Sequence, residues 1–256
     1  MLLLKLIIVP SFIGLITLAG RRWGPAMAGL LGGLPVVGGP IIFFITLEQG
    51  IPFAINTTVS ALVSCVALMF FSVTYCWASI RFDWWFTYLL AVVVWVSSAL
   101  LLAQIHVSLI LATTLAIAAL AIAPFALPKP RPVSSAKSKF NDLPIRMVAG
   151  ALLTIGITYL APFLGSDWSG LLALFPVIGS VLAVFTHSQD GSAQVSNMYR
   201  GMVKGLYSLV GYFFIFASLL DSTSLWLTCT LSALVAIAIQ MSVQWQLRWL
   251  ARNKPH

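Results

Sequence analysis

The chain has 256 residues, of which 60% are hydrophobic and only 8% are charged, and its formal net charge is +8. Soluble domains carry about 25% charged residues, so this composition excludes an ordinary soluble enzyme, a disordered segment and a nucleic-acid-binding protein. It predicts an all-α polytopic protein whose main partner is the lipid bilayer and whose basic residues mark its topology.

Membrane spans can be read from the apolar runs, because a helix needs about 20 mostly apolar residues to cross the bilayer. Polar or helix-breaking residues divide the chain into nine predicted spans, at residues 2–19, 26–47, 54–79, 84–103, 107–127, 146–164, 169–187, 202–220 and 224–247. The first run also has features of a secretory signal. Its cleavage would leave Arg21 and Arg22 outside, which the charge pattern opposes.

The basic residues test the number of spans. With the N-terminus outside, 13 of the 14 Lys and Arg residues lie on the inner side, and Lys5 alone lies outside. Merging residues 84–127 into one span would place the basic loop 128–146 on the side opposite Arg21. Because basic loops are retained in the cytoplasm, the sequence predicts nine spans with the C-terminus in the cytoplasm.

The chain contains an internal repeat. Residues 29–50 and 170–191 align without a gap at an offset of 141, and the shared positions include Gly29/Gly170, Pro35/Pro176, Gly38/Gly179 and Gly50/Gly191. Five predicted spans separate the repeat starts, so the two four-helix repeats are inverted. The predicted segments are repeat 1 (1–103), a connector helix (104–127), a cytoplasmic linker (128–145), repeat 2 (146–247) and a cytoplasmic tail (248–256). Inverted repeats are a common plan of secondary transporters.

The second span of each repeat contains residues that interrupt helices. They are Gly32, Gly33, Pro35, Gly38, Gly39, Pro40, Pro176, Gly179 and Ser180. Interrupted backbone is tolerated in a membrane only where protein buries it or it lines a cavity. One interpretation is a discontinuous helix that binds substrate, and the other is a kinked helix whose glycines allow close packing. The presence of the break in both repeats favours substrate binding where spans two and seven meet.

Charged side chains near these spans are further candidates. Glu48, Asp190 and His187 follow the interruptions and are candidates for proton coupling, although each has the alternative of being an ordinary hydrated group at a span end. Arg200 and Lys204 lie four residues apart on one helix face. They are suited to binding an anionic solute or lipid head group, or serve only as inner anchors.

Motifs for enzymatic chemistry are not found in the sequence. It contains no phosphate-binding loop, no zinc-protease motif and no serine-hydrolase motif. The expectation is therefore a protein that is not an enzyme, has no cofactor or metal, and transports passively or with a gradient.

Repeat 2 resembles a known family. The run GLLALFPVIGSVLAVFTHSQDG at 170–191, followed by residues 199–220, is similar to the GlpM family of small bacterial inner-membrane proteins. The matching residues are Gly170, Leu171, Leu174, Phe175, Pro176, Ser188, Gly191, Arg200 and Tyr212. The chain departs from the family at Ser169, Ala183, Gln189, Asp190 and Gly211. The resemblance covers 146–247, reaches 1–103 only through the repeat, and implies two fused four-span units in a bacterial inner membrane without implying an activity.

These observations lead to one main hypothesis. The sequence is typical of a secondary transporter or permease that alternates access between inverted repeats and carries a small-molecule or lipid-like solute, either small or amphipathic and anionic, with proton coupling as an open possibility. The alternative is a non-transporting membrane scaffold or an accessory subunit of an envelope-polymer or lipid pathway. A homo-oligomer is compatible with either.

Overall fold

The computed structural model describes residues 2–105, 107–129, 142–160 and 175–252. These ranges form ten α-helices and contain no β-strand, which confirms the predicted all-α fold. The helices are α1 (Leu2–Trp23), α2 (Pro25–Gly32), α3 (Gly38–Gln49), α4 (Ile51–Ala78), α5 (Trp84–Ala103), α6 (Leu109–Ala126), α7 (Leu143–Leu160), α8 (Val177–Asp190), α9 (Ser192–Leu219) and α10 (Leu225–Arg252).

Six of these helices are long and apolar enough to cross a membrane. They are α1, α4, α5, α6, α9 and α10, and α7 contributes a shorter apolar stretch. The prediction of a helical protein with several membrane-spanning segments is confirmed at this level. Most of the predicted linker, the end of the sixth span and the start of the seventh (161–174) lie outside the described residues.

The second predicted span consists of two helices instead of one. The amide of Gly33 donates to the carbonyl of Gly29 at 3.1 Å and ends α2, and the amide of Gly39 donates to the carbonyl of Pro35 at 2.8 Å and begins α3. Pro35 has no amide hydrogen and its ring obstructs the preceding turn, and the glycines on either side of it lower helix propensity. Together they account for the break at residues 33–37. The interruption predicted from these residues is observed.

The eighth span was predicted to begin at residue 202, which left the polar residues after Gly191 outside it. This start was placed too late. These polar residues form the first turns of α9, which begins at Ser192. Gln194, Ser196 and Tyr199 are each at least about nine-tenths buried between helices. The helix therefore starts ten residues before the predicted span, in a polar stretch that packs inside the bundle.

The internal repeat extends to the helix boundaries. Both ends of α4 and α9, the last residues of α3 and α8, and the first residues of α5 and α10 all differ by the same 141 positions. Gly50 and Gly191, which join the equivalent helices, have φ of +83° and +84°. Only glycine adopts this conformation readily, so the shared glycine has a backbone cause.

Equivalent helices of the two repeats pack antiparallel. In the α1–α7 pair, Ile13 lies against Gly150 and Arg21 binds Asp142, so one helix ascends as the other descends. In the α4–α9 pair, Phe71 contacts Tyr199 with ring centroids 6.4 Å apart, and Tyr75 contacts Tyr199 at 6.1 Å. Further along this pair, Cys76 reaches back to Ser196 near the start of α9.

Helices α2 and α9 touch through their backbones. A Cβ atom added to Gly29 would lie 1.8 Å from the carbonyl oxygen of Met198, and one added to Gly201 would lie 1.9 Å from the carbonyl oxygen of Ala26. Gly33 and Gly205, four residues further on, make similar approaches. The two G-x-x-x-G pairs therefore form the close packing that small residues permit between membrane helices.

This contact is testable with a matched pair of substitutions. We expect Gly201→Val to lower the free energy of unfolding by at least about 3 kcal/mol, at the upper end of the range for overpacking, because backbone cannot retreat as a side chain can. Gly156→Val in α7 is the control, since no atom outside its own helix lies within 4 Å of the added Cβ. Thermal unfolding in detergent measures both, and equal melting temperatures would contradict the direct contact.

Candidate functional site

A cavity lies between the two interrupted segments. Its volume is about 200 Å³, and Gly32, Val37 and Gly38 from repeat 1 face Pro176 and Gly179 from repeat 2 across it. The segments meet directly, because a Cβ atom on Gly32 would be 3.5 Å from both Ile178 and Leu182. The two spans that the repeat singled out in the sequence thus come together in the fold.

The cavity wall is apolar with a few hydroxyl groups. Thr57, Ser64 and Thr154 line it, and each hydroxyl donates to the carbonyl four residues earlier in its own helix, at 2.8 to 2.9 Å. Their oxygen atoms keep acceptor capacity toward the cavity. Among the described lining residues there is no Asp, Glu, Lys, Arg or His.

The nine predicted binding residues at the helix interruptions fall into three groups. Gly32, Gly38, Pro176 and Gly179 line the cavity. Gly33 packs against the backbone of α9 and Ser180 is buried, so neither is among the residues lining the cavity. The remaining three line a second groove between α3 and α10, whose volume is about 620 Å³; they are Pro35, Gly39 and Pro40.

The two basic candidates on α9 do not reach the cavity. Arg200 donates from Nε to the carbonyl of Pro128 at 2.9 Å and from a terminal nitrogen to the carbonyl of Leu127 at 2.8 Å. It therefore satisfies carbonyl groups at the end of α6, where helix carbonyls have no partner within the helix. Lys204 is half-buried one turn further along α9.

The three coupling candidates are also separate from the cavity. Glu48 is exposed at the end of α3. His187 packs edge-on against Tyr75, with ring centroids 5.9 Å apart. Asp190 has an exposed side chain, and partial desolvation by the adjoining helices, with a smaller effect of Asp142, raises its pKa against the opposing charge of Arg146.

An ion-pair cluster that sequence reasoning missed connects the two repeats. Asp142 is 1% exposed and accepts hydrogen bonds from Arg21 of repeat 1 and Arg146 of repeat 2, both at 2.5 Å. Burial acts to raise the pKa of Asp142, but the hydrogen bonds and charges of the two arginines outweigh it, and that pKa lies below its usual range. The four-residue spacing of Asp142 and Arg146 was the available signal.

These charges share one end of the bundle, which we call the charged end. It is the end where α1, α4, α6 and α8 finish and where α7 and α9 begin. Its charged residues include Arg21, Asp142, Arg146, Asp190 and Arg200. The indole of Trp77 on α4 also donates to the carbonyl of Ala126 there, at 2.8 Å.

The chain was compared with protein-family models, with curated proteins and with solved structures, and none of them matches it.

Removing the central carboxylate tests the ion-pair cluster. We expect Asp142→Asn to lower the free energy of unfolding at pH 7 by about 3 kcal/mol, because it leaves buried charge uncompensated. An Asp with a depressed pKa stabilises the fold fully above its unfolded pKa, which is near 3.9, and loses this contribution as the pH falls further. The difference in Tm from wild type should therefore be full above about pH 5 and shrink below about pH 4.

The control for this experiment is Asp221→Asn, whose side chain is exposed at the opposite end of the bundle. It should change the Tm little at either pH. A deficit of Asp142→Asn that persisted unchanged at pH 3 would contradict the electrostatic role.

Proposed function

We propose that the chain crosses a bacterial inner membrane nine times as two inverted four-helix repeats joined by α6. In this arrangement α2 and α3 form one interrupted span, α7 and α8 belong to two more, and the six long helices complete the nine. The antiparallel packing of equivalent helices supports inversion. The collection of arginines at the charged end supports a cytoplasmic position for that end and an N-terminus outside.

The function that the geometry supports best is secondary transport. The observation that carries this proposal is the cavity bounded by the interrupted segments of both repeats. Substrate sites of many transporters lie near the middle of the membrane, at the interface of repeats, between discontinuous helices. Interrupted backbone at this depth otherwise has to be buried in protein.

The residues that line the cavity restrict the kinds of solute that it can bind. Its surface is apolar, its polar groups are the hydroxyls of Thr57, Ser64 and Thr154, and its described residues carry no charge. We therefore propose an amphipathic solute whose apolar part occupies the cavity. The anionic group that the sequence suggested has no cationic partner among these residues.

In alternating access the cavity is closed on one side at a time, and the charged end contains the contacts that would close it on one side. The described cavity residues lie toward the half of the bundle away from this end, since Thr57 is near the start of α4 and Thr154 is in the second half of α7. The ion pairs of Asp142 join the first helices of the two repeats at the other side. We propose that the cytoplasmic gate is closed here and that opening separates Arg21 from Asp142.

The GlpM resemblance and the scaffold alternative remain open proposals beside this one. A fused pair of GlpM-like units accounts for the repeat but gives no activity. A scaffold needs no open cavity between its halves. A substitution that blocks the cavity should therefore abolish transport but leave a scaffold unaffected.

Transport can be tested by filling the cavity. We expect liposomes containing the protein to move an NBD-labelled lysophospholipid or a fluorescent alkyl sulfonate, with and without a proton gradient, faster than empty liposomes. Gly179→Val should reduce this flux at least about tenfold, because its added Cβ contacts only the flexible end of Met202 and the side of Pro176 while occupying the cavity wall. Dithionite quenching follows the NBD probe.

The matched control is Gly156→Val, which places the same side chain on α7 in open space. It should retain wild-type flux. If folded wild-type protein moved neither probe, or if Gly179→Val and Gly156→Val moved them equally well, transport through this cavity would be refuted.

The orientation has its own test in a background without native cysteines. Ser188 lies exposed at the charged end and Ser222 lies exposed between α9 and α10 at the opposite end. We expect Ser188→Cys to react with a membrane-impermeant maleimide only from the cytoplasm, and Ser222→Cys only from outside. Labelling of both from one side would contradict the topology.

A further inference from the structure

The second groove differs from its counterpart in the other repeat. The groove runs between α3 and α10, and Leu34 and Ala236 line it. By the offset of 141, the equivalent residues are Phe175 and Trp95. The indole of Trp95 is 2% exposed and packs against Phe175, with ring centroids 5.1 Å apart. A large side chain therefore fills the equivalent space between α5 and α8, whereas Ala236 leaves a groove of about 620 Å³.

A buried polar side chain faces this groove. Gln240 lines it, is 7% exposed, and neither its Oε1 nor its Nε2 has a hydrogen-bond partner among the described residues. Leaving such a buried group unpaired is unfavourable. Its repeat equivalent is Ala99, so the amide, like the open groove, belongs to one repeat only.

The remaining lining defines the shape of an occupant. Phe43, Tyr212 and Trp226 contribute aromatic surface, and Phe43 and Trp226 are in contact with ring centroids 5.0 Å apart. Trp226 and Gln240 are 14 residues apart on α10, which is about 21 Å at 1.5 Å per residue. The groove is thus long and mainly apolar, with the amide of Gln240 toward its deep end; the hydroxyl of Tyr212 and the thiol of Cys229, which also line it, pair with each other.

We propose that this groove binds a long-chain membrane alcohol, with the hydrocarbon chain along α3 and α10 and the hydroxyl at Gln240. A hydroxyl donates one hydrogen bond and accepts others, so a single hydroxyl pairs with both Oε1 and Nε2. An ether or ketone oxygen only accepts and would leave Oε1 unpaired, and a charged head group would be too costly at this depth. The site goes beyond the proposed transport function and holds equally for a scaffold.

Photolabelling of the full-length protein in phospholipid nanodiscs tests the proposal. The probes are an octadecanol carrying a diazirine in mid-chain and its methyl ether, and adducts are mapped by mass spectrometry. We expect the alcohol to label groove residues such as Phe43 and Cys229 at least about fivefold more than the ether, since neutral hydrogen bonds contribute modestly. Equal labelling by the two probes, or adducts spread evenly over the lipid-facing helices, would overturn the proposal.

Three variants assign the effect to the groove. Ala236→Trp should remove groove adducts of both probes, because it introduces the side chain that fills the equivalent space in the other repeat. Leu234→Trp is the control on the lipid-facing side of α10, where Leu234 is 57% exposed, and it should label like wild type. Gln240→Leu removes an unpaired polar group and should fold at least as well as wild type, while lowering alcohol labelling to the level of the ether. Unchanged alcohol labelling in folded Gln240→Leu would refute the hydroxyl contact.

Discussion

The structure depends on one constraint: in the proposed membrane-spanning arrangement, the interrupted backbone between α2 and α3 must be covered by protein. The covering surface here is α9, which meets the end of α2 backbone to backbone through Gly29, Gly33, Gly201 and Gly205. Because α2 belongs to repeat 1 and α9 to repeat 2, the same contact that supports the interruption also joins the repeats. The position of the cavity follows from it, since Gly32 is fixed within this crossing and faces the start of α8.

The two repeats have helices at equivalent positions but differ in the side chains that these helices carry. Several of their described helix boundaries match, and a positive-φ glycine joins α3 to α4 and α8 to α9. The differences are concentrated in single side chains, as where Trp95 closes one groove and Ala236 leaves its counterpart open. The repeat thus sets the helix positions, and the groove proposed to bind an alcohol lies where the two repeats differ.

The sequence predicted the features that have a local cause. The crowding of Pro35 with glycines predicted the helix break, whereas the isolated Pro10 and Pro124 lie inside helices. Gly50 and Gly191 share a conformation that other residues avoid. The partners of Arg200 could not be predicted, because they are backbone carbonyls at the end of a distant helix. Every residue has a backbone carbonyl, so no sequence pattern identifies these two. The role of Asp142 required the antiparallel contact that brings Arg21 beside it. The start of α9 was misplaced because its polar residues are buried against other helices.

The distribution of charge makes the two ends of the bundle unequal. The residues equivalent to Asp142 and Arg21 are Met1 and Pro162, so the Arg21–Asp142 ion pair has no counterpart at the equivalent positions of the sequence. Under alternating access, closure at the charged end is therefore favoured by the ion pairs of Asp142, which the described residues of the opposite end do not match. A solute shifts such an equilibrium only by the difference in its affinity for the two states. Efficient transport then requires that the solute bind more tightly once Arg21 and Asp142 have separated, and the apolar wall of the cavity is the surface that must supply this difference.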